Sequence, residues 1–276
     1  MLTSMVGAMR KGKEEGFCVP ALAGSDEVMV RAVCEAAEEA KSPVILLQQF
    51  SDLTKAEQYV EMAAPIADSV SVPVSIILDH GPSYEACVSC IRAGFTDVML
   101  DRSSTPYEQN VHDVSEVVKM AHVVGVGVEA ELGHVGQGDK YDDKSNTVFT
   151  VPEEAVSYVK ETGVDTLAVS VGTSHGVYKG EPKLNFELME ELHKVVPVPL
   201  VIHGGSGTGD ENLRKLCKIG ANKLNIAHEL YEAVVNAVRD NDLSGFKTYA
   251  VFGVIQEAVK QAALHQMDIC GSTNKA

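Results

Sequence analysis

Three histidines define the chemistry to look for. His80, His175 and His203 each stand beside glycine, in Asp79-His80-Gly81, Gly172-Thr173-Ser174-His175-Gly176 and His203-Gly204-Gly205-Ser206-Gly207. Three neutral imidazoles with an open fourth position are the donor set of a catalytic zinc site. The adjoining glycines leave room for ligands to pack closely. Asp79 precedes the first histidine. A carboxylate there either shuttles a proton to a metal-bound substrate or holds a histidine in place. Asp101, Glu129 and Glu131 either support the ligands or form a second metal position. Within Val128-Glu129-Ala130-Glu131-Leu132, alternation puts both glutamates on one side of an extended chain. Two buried like charges need a cation or a proton nearby. Gly204–Gly207 has the makings of a backbone N–H nest for an anion, aided by a helix beginning near Gly209-Asp210. Asn225–His228, leading into a helix at Glu229, is the expected second half of that site. The remaining histidines (His112, His122, His134, His193, His265) fall on expected helices or a loop.

Convergence of these residues needs a scaffold, and the apolar runs describe one. Val19–Leu22, Val44–Gln48, Val74–Leu78, Asp97–Leu100, Gly127–Leu132, Thr166–Val171, Leu200–Ile202 and Lys223–Ile226 are short and rich in apolar or β-branched residues. Such unbroken runs suit parallel strands covered on both faces. Helical segments lie between them: Asp26–Ala40, Lys55–Ser69, Tyr84–Ala93, Glu108–Val124, Glu153–Thr162, Phe186–Val195 and Asn212–Ile219. Gly94, Gly163 and Gly220 stand where helices should end. Eight alternating units predict an α/β fold, a (β/α)8 TIM barrel. A doubly wound sheet is the rival, but no G-x-G-x-x-G follows the first strand. Barrel enzymes work at the C-terminal ends of their strands, where strands three to eight place these polar residues. Lys223, at the start of the eighth strand, is expected away from the mouth. Gly133–Thr150 is a long polar connection with Gly136, Gly138, Asp139, Asp142 and Asp143, a length usually tied to function. Glu229–Arg239 and Leu243–Gln266 add extra C-terminal helices. No linker divides the chain, so residues 1–276 are expected to form one domain.

Composition narrows the partners. The 276 residues carry 23 basic and 39 acidic side chains, a formal charge of −16. That balance excludes nucleic acid and an anionic membrane surface as partners. No run reaches the roughly 18 apolar residues of a membrane span, and the first residues lack a signal-peptide core. Six scattered cysteines fit reduced thiols and a cytoplasmic protein. Cys87 and Cys90 form a lone C-x-x-C, read as small residues on a buried helical face.

Taken in order, the motifs resemble the class II, zinc-dependent ketose-bisphosphate aldolases, the group that includes fructose- and tagatose-bisphosphate aldolases. Leu78-Asp79-His80-Gly81, Gly94–Asp101, Glu129-Ala130-Glu131-Leu132-Gly133, Gly172–Gly176, His203–Gly207 and Lys223-Leu224-Asn225-Ile226 carry the resemblance over nearly the whole chain. It implies His80, His175 and His203 as zinc ligands and Asp79 as the catalytic acid/base. It implies Gly176, Gly204, Ser206 and Asn225 as the pocket for a dihydroxyacetone phosphate half. Asp101 and Glu131 match positions of auxiliary cation binding or ligand support. The connection after Gly133 matches a loop that closes over substrate. A monovalent cation (Na+ or K+), a sugar phosphate substrate and a homodimer or homotetramer are further implications.

The chain departs from the family pattern at three places. Leu22-Ala23 replaces a common Phe-Asn, and Arg102 follows Asp101 where glycine is frequent. His228 replaces a phosphate-holding threonine; it either serves as a substitute donor or marks a different anionic group. Arg102 either binds a second anion, such as a phosphate, sulfonate or carboxylate, or faces solvent. The expected reaction is reversible cleavage of a ketose 1-phosphate or 1,6-bisphosphate, fructose-1,6-bisphosphate in type, to dihydroxyacetone phosphate and an aldehyde. The alternatives are a variant substrate (6-deoxy-6-sulfofructose 1-phosphate, tagatose 1,6-bisphosphate or a deoxy-sugar acid phosphate) and a non-catalytic zinc or sugar-phosphate binding protein.

Overall fold

Eight parallel strands close on themselves in the computed structural model, which describes residues 1–49, 53–137, 147–176, 178 and 180–276. The strands are β1 (Val19–Ala23), β2 (Val44–Gln48), β3 (Val74–Gly81), β4 (Asp97–Leu100), β5 (Gly127–Leu132), β7 (Thr166–Val169), β9 (Leu200–Ile202) and β10 (Ala221–Ile226). Their order round the barrel is β1-β10-β9-β7-β5-β4-β3-β2. Two short strands, β6 (Gly136–Gln137) and β8 (Ser174–His175), pair above it as a separate ribbon. The barrel strands are buried almost throughout, as unbroken apolar runs require. The fold is the expected TIM barrel, each strand lying within about two or three residues of its predicted bounds.

The outer layer is α2 (Glu27–Ala40), α3 (Leu53–Asp68), α4 (Tyr84–Ala93), α5 (Tyr107–Val123), α6 (Pro152–Thr162), α7 (Phe186–Val195) and α8 (Asp210–Ile219). Local chemistry sets their ends. Asp26 and Ser83 side chains accept the N–H groups of Met29 and Ala86, capping α2 and α4. Gly94 takes φ +107°, a conformation open to glycine, and closes α4 on the Cys90 and Ile91 carbonyls. Cys87 and Cys90 lie on the buried face of α4, and burial pushes both thiols up to about 12. They pack as small apolar groups, as read from the sequence.

Two features at the ends of the chain complete the barrel. Helix α1 (Val6–Glu15) was not evident in the sequence, because charged residues interrupt its apolar face. Met5, Met9 and Phe17 nonetheless join Val19, Ala21, Ile45, Leu47 and Ile77 in one buried cluster. That cluster fills the barrel interior from the N-terminal side. After β10 come α9 (His228–Asp240), a 3-10 turn (Gly245–Ala250) and α10 (Val251–Cys270), which packs mainly on α2 and α9. These are the expected C-terminal helices. Among the described residues no helix is long and apolar enough to cross a membrane.

Candidate active site and metal centre

A bulge in β3 starts the site. Register with β4 runs Ile77–Asp97 and Leu78–Val98, then slips to Gly81–Leu100. Strict alternation would send Asp79 and His80 to opposite faces. The extra residue, with His80 at φ +48°, brings both to the mouth. Gly81 is required there, since a Cβ would lie 2.2 Å from the Met99 carbonyl oxygen.

His80 then meets two histidines from distant segments. Its Nε2 lies 3.1 Å from His175 Nε2 and 2.8 Å from His203 Nδ1. His175 arrives on the short ribbon strand β8, and His203 follows β9. Each ring is held on its other side. His80 Nδ1 donates to Asp101 Oδ2 at 2.9 Å, and His203 Nε2 donates to Glu129 Oε1 at 2.9 Å. The His175 ring bonds the Gly136 backbone. These partners fix the tautomers and leave three facing nitrogens with lone pairs. Facing lone pairs this close repel, so a proton or cation belongs among them. A tetrahedral zinc with bonds near 2.0–2.1 Å places its nitrogens about 3.3 Å apart, close to the spacing found. The donor set therefore fits a zinc ion. Electrostatics separate the rings. Burial opposes charge on His80, but the Asp101 bond and the charges of Asp79 and Glu131 lift it to about 9. Burial and its two histidine neighbours push His175 down to about 4.

Asp79 stands beside this cluster, its Oδ1 4.0 Å from His203 Nδ1. Asn225 Nδ2 donates to Oδ1 at 2.9 Å and Gln49 Nε2 to Oδ2 at 3.2 Å. Burial favours its neutral form, yet the charges of His80, His203 and Lys223 hold it below the ordinary carboxylate range. It is an ionised, oriented acceptor. Glu131 differs. Its Oε1 accepts the Val135 N–H, while its buried Oε2 has no partner among the described residues, and burial raises its pKa. Asp101 and Glu131 share a cavity of about 280 Å3 with Gln49, His80, His134, Val135 and His175. His80, Asp101 and Glu131 also bring donor atoms within 4.8 Å of one another.

Lys223, expected away from the mouth, is linked to the site from inside the barrel. Its ammonium is buried inside the barrel and contacts both Glu129 oxygens at 2.9 Å. It is the cation that Glu129 needs, and it lies one residue removed from His203. Strand alternation carried the signal, because Lys223 and the inward-facing Asn225 share a side. Arg102, left open between a second anion and solvent, has partners in its own chain. Its Nε donates to Asp113 Oδ2 at 3.0 Å and its Nη1 to the Pro82 carbonyl at 2.8 Å. That pairing ties the end of β4 to α5.

The glycine loop after β9 forms the nest. Gly204 and Gly207 take φ +65° and +74°. Ser206 Oγ accepts the N–H groups of Ala227 and His228, joining the loop to the start of α9. A glutamate that nothing in the sequence singles out already uses this nest: Glu229 accepts from Ser206 Oγ at 2.6 Å and Gly207 N at 2.9 Å. The His228 side chain is exposed beside it, and no Cβ neighbour crowds Gly176. Tyr178, also missed, receives the Ser174 N–H and donates to the Gly204 carbonyl, tying β8 to the nest. In the connection after Gly133, Gly136 pairs with Ser174; Gly138, Asp139, Asp142 and Asp143 lie outside the described residues.

A barrel with three converging histidines and an ionised carboxylate at its mouth has the layout of a metal-assisted enzyme, and comparison with known proteins identifies the lineage. Residues 3–275 match the family described as class-II fructose-bisphosphate aldolase. A probable fructose-bisphosphate aldolase of Bacillus subtilis (strain 168) is 38% identical, covering 100% of this chain and 99% of that protein. A fructose-bisphosphate aldolase of Staphylococcus epidermidis is 37% identical over the same shares. The crystal structure of the YdjI aldolase from Escherichia coli K12 superposes with TM-score 0.89 at 33% identity, covering both chains fully. The chain belongs to the class II fructose-bisphosphate aldolase family. It is an aldolase of carbohydrate metabolism whose family acts on sugar phosphates and generally uses zinc.

Proposed function

We propose that the chain is a zinc aldolase, one domain over residues 1–276, which reversibly cleaves a ketose 1-phosphate or 1,6-bisphosphate to dihydroxyacetone phosphate and an aldehyde. The carrying observation is the convergence of three oriented histidine nitrogens with an ionised Asp79 beside them. His80, His175 and His203 would hold the ion, which supplies Lewis acidity to the ketose carbonyl when bound. Asp79 accepts the proton of the C4 hydroxyl as the C3–C4 bond breaks; C4 leaves as the aldehyde carbonyl, and the bond's electron pair stays with C3, which takes up a proton to give dihydroxyacetone phosphate. Asn225 and Gln49 hold Asp79 in place for that transfer. Asp101 and Glu131 orient His80 or take an auxiliary cation, the role suited to the unpartnered Glu131 oxygen.

The substrate phosphate is assigned to Gly176, Gly204, Ser206, Asn225 and the His228 N-terminal turn of α9. A dianion there competes with Glu229 for Ser206 and Gly207. The exposed His228 ring favours a second reading, in which the same chemistry runs on a variant such as tagatose 1,6-bisphosphate or a sulfonated sugar phosphate. Arg102, paired with Asp113, is not assigned a substrate anion. A monovalent cation near the glycine loops, a cytoplasmic location and a homodimer or homotetramer complete the proposal.

EDTA should abolish cleavage and zinc should restore it, while borohydride with substrate should leave the enzyme active. Activity that survives thorough metal removal overturns the zinc reading. kcat/KM across fructose, tagatose and sulfofructose phosphates decides the substrate. A preference for fructose bisphosphate above about 100-fold eliminates the variant reading.

A further inference from the structure

A second cluster of metal-binding side chains lies outside the active site. Cys18 precedes β1, Cys217 sits in the last turn of α8, and Cys270 is the last residue of α10. About 200 residues separate the first from the second, yet the three sulfurs lie within 4.8 Å of one another. All are free thiols, and exposure is 0% at Cys18, 4% at Cys217 and 1% at Cys270. The Cys18 N–H donates to the Cys270 carbonyl at 2.9 Å, so the backbone as well as the thiols joins α10 to the barrel.

We propose that Cys18, Cys217 and Cys270 form a three-thiolate site for a soft monovalent metal ion, Cu(I), which clips the C-terminal helix to the barrel. Thiolate sulfur selects soft ions. Structural zinc takes four ligands; this group has three, and its burial excludes the water that would complete a zinc shell. A planar three-coordinate ion with metal–sulfur bonds near 2.3 Å needs sulfurs about 4.0 Å apart, so small side-chain rotations close the triangle. Each thiol that ligates loses its proton to solvent. Arg214, one turn before Cys217, donates to Asp268 near the end of α10, a second tie between the two helices that carry Cys217 and Cys270.

The test is anaerobic Cu(I) titration of the zinc-loaded full chain against bicinchoninate, with X-ray absorption of the product. One equivalent per chain with three sulfur neighbours, and a higher Tm, are expected. Cys217→Ser should lose that equivalent, and Cys87→Ser with Cys90→Ser should keep it. Cys270→Ala serves if Cys217→Ser does not fold, and the sulfur count on the unaltered protein needs no variant. Nitrogen neighbours, uptake that survives Cys217→Ser and Cys270→Ala, or uptake lost with Cys87 and Cys90 would overturn the proposal. So would the absence of bound copper both on titration and in protein made in copper-supplemented cells, which would leave three thiols that merely pack.

Discussion

At the scale of single residues, the site works through charges held where water cannot screen them. Asp79 is ionised because three cationic or ionisable neighbours outweigh its burial. Replacing it with alanine removes the proton acceptor but none of the three facing nitrogens. Asp79→Ala should lower kcat/KM by roughly 100- to 10,000-fold while metal analysis still finds zinc; equal loss of zinc and turnover would make Asp79 a support for the ligands. Lys223 is the deeper case. Lys223→Met leaves Glu129 buried without its cation, which should cost about 3–5 kcal/mol in urea unfolding. Adding Glu129→Gln should recover part of that loss, because the uncompensated charge is gone. The double variant keeps a weaker partner for His203, so its zinc affinity should still fall by about 10- to 100-fold. If both variants unfold like the parent, the Lys223–Glu129 pair is not what steadies His203.

At the scale of elements, the backbone decides which residues can meet. The β3 bulge turns two consecutive residues into one site, and Gly81 permits it by its approach to Met99. Gly81→Ala should destabilise the chain by about 1–3 kcal/mol, the cost of overpacking, and weaken zinc binding through His80 and Asp79 together. Stability loss with unchanged zinc affinity would show that the bulge does not position His80. The sequence exposed the strands because parallel barrel strands are apolar on both faces, and it exposed the glycine-flanked histidines because they follow those strands. It concealed the bulge, because a one-residue slip leaves no mark on an apolar run. It concealed α1, whose few apolar residues matter only once the barrel offers a cavity for Met5 and Met9. The Arg102–Asp113 pair was equally hidden, since only the fold brings Arg102 between the second turn of α5 and the Pro82 carbonyl. Glu229 in the nest belongs with these: a first-turn helix acid is commonplace, and only the tertiary turn shows what it holds.

At the scale of the whole molecule, charge and apolar surface pull in opposite directions. A formal charge of −16 drives copies apart. The C-terminal helices nonetheless expose Phe246 at 91%, Tyr249 at 87% and Phe252 at 66%. Tyr249 lines a groove of about 600 Å3 between α9 and α10 together with Ala237, Gly253 and Val254, and it shares a second hollow with Phe246. Exposed aromatic residues close together in sequence are the kind of surface that self-association would cover. The proposed homo-oligomer gives that surface a partner, and the charge predicts how the assembly responds to solution conditions. Raising salt to about 0.15 M shortens the screening length to about 8 Å, so association should tighten with salt while each apolar contact persists. Sedimentation at several salt concentrations should show a dimer or tetramer, and Phe246→Asp with Tyr249→Asp should shift it toward monomer. A parent protein that sediments as a monomer at every salt and concentration would reject self-association. An oligomer untouched by the two substitutions would place its interface elsewhere on the barrel.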